Sequence, residues 1–338
     1  MTKDTKNNRE PTAFSAKKPW LARAQFLWLG NLVLLIAIVI IALHWGDWRV
    51  FLRLLMRIKL KWLGLAVLFQ LGTYVCVTTI WKVVLRSCDI SISVPNLFAL
   101  SIAKLFSDQT VPSFGISGSV VAMRGFIRRK SSAGAAAAAV IMNTTSRYLP
   151  YFALFNIAMI IVWKNHMLNK GLQFVAVIFS IIISVLTLAV IGLIWLVINK
   201  RIPRSLRRFR KLAWFLQSVQ KIPAEILKRK SLWMVAFTAN MAIFLLDSGT
   251  LWILLSSLSA PIRISHVFAS FMISSVVTDI AIIPGRIGIF EGSSITLLHL
   301  FNIPIEQAIA AIVLFRGFTY WLPMIPGFII TRREFQKK

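Results

Sequence analysis

Two arginines, Arg147 and Arg316, lie inside long apolar stretches of the chain. A guanidinium at the centre of a membrane helix costs about 2.5–3.5 kcal/mol on insertion scales, so it has to face a polar partner or a water-filled cavity. Its planar fork of donors matches the oxygens of a phosphate or a carboxylate two at a time. Two chemistries are therefore open to each arginine: contact with a phosphate-bearing head group, or neutralisation by an internal acid. Asp108, Asp247, Asp279 and Glu291 are the candidate acids, which could also carry a coupling proton. Asn143 stands four residues before Arg147, and Tyr320 four after Arg316, so on continuous helices each arginine shares a face with a polar neighbour. Arg124 opens a run of cations and is expected nearer a membrane surface.

The acids and arginines sit next to breaks in apolar sequence. Residues 282–294 read IIPGRIGIFEGSS, with Pro284, Gly285 and Gly288 in place of helix formers. A helix interrupted there exposes N–H and C=O groups and a dipole end to a polar ligand. Glu291 then falls in the first turn of the returning helix, where a carboxylate either caps the helix or does functional work. Pro112, Gly115 and Gly118 form a parallel set of breaks.

The two sets belong to an internal repeat. Residues 115–150 align without a gap to 288–323, with eight identities in 36 positions. With small gaps upstream, Pro112 falls on Pro284 and Asp108 on Asp279. In each copy an apolar approach (97–111, 266–283) meets a Pro/Gly break, an apolar return follows, and then an Ala-rich helix. Approach and return are each about 15 residues, short of the roughly 20 that cross a 30 Å hydrocarbon core. Such pairs read as re-entrant helical hairpins, entering and leaving on one side. Ordinary kinked spans are the other reading of the same pattern. Non-helical backbone at that depth survives only when buried in protein or lining a polar cavity.

The rest of the chain is that of a polytopic α-helical membrane protein. It is 57% hydrophobic over 338 residues, and apolar runs recur at 26–43, 62–85, 133–163, 172–198, 232–258 and 305–330. We expect an all-α membrane fold of about six full spans plus two re-entrant hairpins, or about eight spans, arranged as two inverted-topology repeats. Residues 1–25 would be a basic cytoplasmic N-terminus, 26–332 a single membrane domain and 333–338 a cytoplasmic tail. Within the domain, repeat one covers about 97–163 and repeat two about 266–330, with a basic cytoplasmic loop at 199–230 between them.

The net charge of +28 falls between apolar runs rather than on one soluble face, so anionic lipid is the expected counter-charge and nucleic acid is not. Six Lys and Arg lie in the first 25 residues, four in 124–130, eleven in 199–230 and four after Thr331, against two in 164–171 and one in 259–265. Positive-inside logic places both termini in the cytoplasm of a cell (inner) membrane protein. The stretch 46–61, with five basic residues and Arg49, Arg53 and Arg57 four apart, dissents and reads as an interfacial amphipathic helix. Cys76 and Cys88 make no disulfide framework, and the four histidines have no metal spacing. Phosphate loops, dinucleotide glycine sets and nucleophile elbows are missing too, so no cofactor, no metal and no enzyme activity are expected.

The stretch IPGRIGIFEGSSITLL, followed by IPIEQAIAAIVLFRGFTYWLPMIPG, resembles the second signature of the flippase-like family, the transmembrane region of lysylphosphatidylglycerol synthetases. The matching positions are Pro284, Gly285, Gly288, Glu291, Arg316, Pro323 and Gly327. The first signature matches more loosely, through Pro112, Gly115, Gly118 and Arg124, with SFGIS departing from the expected pattern. The resemblance implies movement of a lipid across the cytoplasmic membrane by alternating access. The lipid would have an anionic or phosphate-bearing head group, contacted by Arg147 and Arg316. A different class of role stays open, a non-transporting scaffold for a lipid- or glycan-modifying membrane enzyme.

Overall fold

The computed structural model describes residues 60–110, 116–165, 224–260, 263–280 and 288–336, with position 58 and single positions between 178 and 192. The N-terminus, the run at 26–43, nearly all of 46–59, most of 172–198 and the loop up to 223 lie outside the described residues. So do Pro112, Gly115, Pro284 and Gly285. All secondary structure among the described residues is helical.

The helices are α1 (Leu60–Arg86), α2 (Val94–Thr110), α3 (Ile116–Arg128), α4 (Ala133–Thr145), α5 (Tyr148–Lys164), the short α6 (Ala224–Lys228), α7 (Lys230–Ser257), α8 (Ile264–Ile280), α9 (Ile289–Leu300), α10 (Ile305–Arg316) and α11 (Leu322–Gln336). A π-helical turn, Gly317–Trp321, joins α10 to α11. Four stretches are long and apolar enough to cross a membrane: Leu60–Arg86, Ala133–Lys164, Lys230–Ser257 and Ile305–Glu334.

One plan occurs twice. A long helix (27 residues in α1, 28 in α7) is followed by a 17-residue helix (α2, α8), then by a shorter return of 13 residues in α3 and 12 in α9. The turns agree as well. Asp89 after α1 and Ser259 after α7 both have φ 59, and Lys130 after α3 and Asn302 after α9 both have φ 63. In each case the next N–H reaches back to the helix, as from Ile90 to Leu85 and from Ala260 to Leu255, closing a left-handed C-terminal cap.

Side-chain contacts give the directions. Leu246 of α7 fills the space over Gly72 of α1, and Phe69 fills that over Gly249, so these equivalent helices pack antiparallel. Within the first pair, Asp108 meets Gly118 and Leu100 meets Gly125; within the second, Phe271 meets Phe290 and His266 stacks on Phe301. Both pairs are therefore antiparallel hairpins, with arms of about 18–25 Å at 1.5 Å per residue. Each hairpin packs on the last helix of the other half, α2 on α11 and α8 on α5. The Ala-rich α4, capped by Ser132 accepting from the Ala135 N–H, buries residues 135–139 and lies close against α1.

Candidate functional site

Proline sets the local geometry of the Ala133–Lys164 and Ile305–Glu334 stretches. Pro323 has no N–H for the carbonyl of Thr319, four residues back, and Pro150 has none for Ser146. The second helix responds with the π turn, in which the Leu322 N–H reaches the Gly317 carbonyl. The Thr319 carbonyl is taken instead by the Gln109 side-chain amide of α2, at 3.0 Å. In the first half the helix breaks at Ser146–Arg147, and Asn240 of α7 donates to the Ser146 hydroxyl at 2.9 Å and the Asn143 carbonyl at 3.5 Å.

Arg316 is the last residue of α10, at the π turn. Its Nε donates to Glu291 Oε1 at 2.6 Å, and the side chains are only 15% and 3% exposed. The second oxygen of Glu291 accepts from the Gly288 N–H at 2.7 Å, so one carboxylate both caps α9 and neutralises the arginine. Gly288 is at φ 95, a backbone conformation that a side chain would strain. The guanidinium lies over the Phe290 ring, 4.4 Å from its centre, and Phe290 stacks on Phe315. One terminal nitrogen, Nη2, is buried without a hydrogen-bond partner.

The first hairpin builds its own ion cluster. Asp108 Oδ1 accepts from the Gly118 N–H at 2.8 Å, and Oδ2 takes the Lys104 ammonium at 2.7 Å. Gly118 is the residue aligned with Glu291, and a Cβ there would come within 2.5 Å of the Asp108 carboxyl and the Lys104 carbonyl. The acid therefore arrives from the outgoing helix, because the return helix has no room for one. Lys104 joins the site through its i, i+4 spacing from Asp108, a signal present in the sequence.

The other candidates separate. Asp279 accepts the Tyr151 hydroxyl at 2.8 Å. Tyr151 stacks on Phe244, over which the Arg147 guanidinium sits at 4.9 Å, with Asp247 in coulombic reach of Arg147. Arg147 is exposed and Asn143 buried, and both positions meet α7, through Asn240 at the Asn143 carbonyl and Phe244 under the Arg147 guanidinium. Tyr320 sits within the π turn, 2% exposed, and packs with Phe106 and Met324. Arg124 is half-buried on α3. One turn on, Arg128 and Arg129 clasp Glu334 of α11 at 3.3 and 2.8 Å, and Arg128 also donates to the carbonyls of Arg333 and Glu334.

Among the described residues no cluster of three or more His, Cys, Asp or Glu could hold a metal ion. A family profile described as the lysylphosphatidylglycerol synthase TM region matches residues 28–327. A UPF0104 membrane protein of Methanocaldococcus jannaschii is 26% identical over 313 residues, covering 85% of this chain and 90% of its own length.

Proposed function

Because the chain belongs to the family of lysylphosphatidylglycerol synthase transmembrane regions, we propose that it moves a lipid with a phosphate-bearing head group across the cytoplasmic membrane by alternating access. The observation that carries this reading is Arg316. It is a cation inside a membrane-crossing stretch, with a buried, unpartnered Nη2 beside the first turn of α9. The ion pair to Glu291 neutralises the arginine's charge through Nε and leaves Nη2 unpaired. A phosphate can then take the free nitrogen, and the adjacent helix start adds to its stabilisation.

The arrangement supplies two exposures. The recurring helix plan and the antiparallel packing of α1 on α7 support inverted repeats with opposed re-entrant hairpins. Each hairpin docks on the last helix of the other half, so rocking one half changes the packing around both breaks. The head group would cross at the breaks while its acyl chains stay in lipid. Both termini lie in the cytoplasm on this reading, where the basic segments meet anionic lipid.

The test is translocation of fluorescent anionic and aminoacylated phospholipids in proteoliposomes, comparing wild type with Arg316→Lys and Arg316→Ala. Faster translocation by wild type, lowered at least tenfold in Arg316→Ala and incompletely restored by lysine, is the expected result. Translocation equal to protein-free vesicles for every lipid would overturn it and leave the scaffold role.

A further inference from the structure

Eleven side-chain polar atoms are buried without a hydrogen-bond partner among the described residues, and four belong to α1: Gln70 Oε1, Tyr74 Oη, Thr78 Oγ1 and Trp81 Nε1. Their residues are 5%, 7%, 3% and 0% exposed. The spacing of four, four and three residues keeps them within an arc of about 80°, along about 16 Å of helix. The Gln70 amide approaches the Tyr74 hydroxyl without closing a bond of normal geometry. Buried polar groups in proteins are nearly always satisfied, by protein or by ordered water. Four orphans in one line, donors and acceptors mixed and none of them charged, have the chemistry of a surface that holds water.

The line is distinct from the other faces of α1. Gly72 and Phe69 face α7, and Leu68, Leu71 and Val75 are exposed. The polar face turns inward, with Tyr74 against Phe98 of α2 and Trp81 against Phe126 of α3. Two residues beyond Phe126 is Arg128, in the clasp on Glu334. Near its other end, α1 packs on the π turn that follows Arg316. The corresponding residue on α7, 170 positions after Gln70, is Asn240, whose amide is fully engaged at the Ser146 break. The α1 line thus has no counterpart on α7, and among the buried unpartnered hydroxyls of the second half Ser270 and Ser274 lie on α8 instead.

We propose that this face of α1 lines a hydrated passage between the Arg316 break and the Arg128–Arg129–Glu334 clasp, and that the clasp shuts it in the conformation described here. The passage rests on the transport reading for its use but not for its existence. Single cysteines at Tyr74, Thr78 and Val75, in a Cys76→Ala/Cys88→Ala background in membrane vesicles, test it with a membrane-impermeant methanethiosulfonate reagent. The expected result is that Thr78→Cys and Tyr74→Cys react at least tenfold faster than Val75→Cys, although Val75 is the exposed residue of the three. Adding Glu334→Ala should raise the Thr78→Cys rate several-fold. Stripe cysteines that react no faster than Val75→Cys overturn the passage, and a rate indifferent to Glu334→Ala overturns the clasp as its closure. Reactive stripe cysteines in a protein that translocates no lipid would sink the transport reading and keep the passage.

Discussion

The two hairpins solve one electrostatic problem with different residues. Each places a carboxylate on the first N–H groups of its return helix and a cation on that carboxylate. In the first hairpin, acid and cation are Asp108 and Lys104 of one helix, so the cluster is complete within the hairpin. In the second, Glu291 comes from the return helix and Arg316 from α10, so the pair ties the hairpin to the broken span. The first hairpin can therefore shift as a body with its charges paired, whereas moving the second against α10 separates an ion pair that is nearly sealed from solvent. Only the second retains a buried, unpartnered donor on its cation. The teaching is that the halves repeat in backbone and differ in where they can yield.

The largest test of that difference is removal of the acids. Glu291→Ala removes a carboxylate only 3% exposed, against 17% for Asp108, leaves Arg316 unpaired and should cost about 3–5 kcal/mol. Asp108→Ala, which frees a partly exposed lysine and one helix N–H, should cost about 1–3 kcal/mol. Thermal unfolding in detergent measures both, and equal losses would break the comparison. Next come the glycines. Gly288→Ala, strained at φ 95, and Gly118→Ala, overpacked against Asp108, should each lose about 1–3 kcal/mol by the same assay. Gly292→Ala, which meets nothing within 4 Å, should lose none.

Gln109→Leu sharpens the point at the π turn. It strips the donor from the Thr319 carbonyl and should cost about 1 kcal/mol, seen as faster amide exchange around 319–323. The smallest effect belongs to Lys104→Met, at or below about 1 kcal/mol, since its ion pair retains some solvent. A Lys104→Met loss as large as that of Arg316→Met would mean that the two cations carry equal burdens.

Much of the candidate site was legible because its rules are local. A proline orphans a fixed carbonyl, a glycine permits a positive φ, and a glutamate three residues after the break reaches back to cap; all of these depend on spacing alone. Arg316 was found from the cost of a guanidinium in hydrocarbon. The ring that Arg147 meets, Phe244 of α7, depends on helix docking and is not readable from spacing. The i, i+4 spacing of Lys104 and Asp108 is equally local, and only the Gly118 N–H that Asp108 caps requires the fold.

By itself, the sequence determined a helical membrane chain and the helix plan that recurs in its two halves, because hydrocarbon thickness and backbone stereochemistry act over twenty residues or fewer. Only the tertiary structure decided that Glu291 meets Arg316 and that Gln109 crosses to Thr319. It also set the Arg147 guanidinium over the Phe244 ring and brought one polar face of α1 against the first hairpin. Those outcomes depend on how each hairpin docks on the opposite half, and docking is set by the summed packing of many side chains rather than by the spacing of a few.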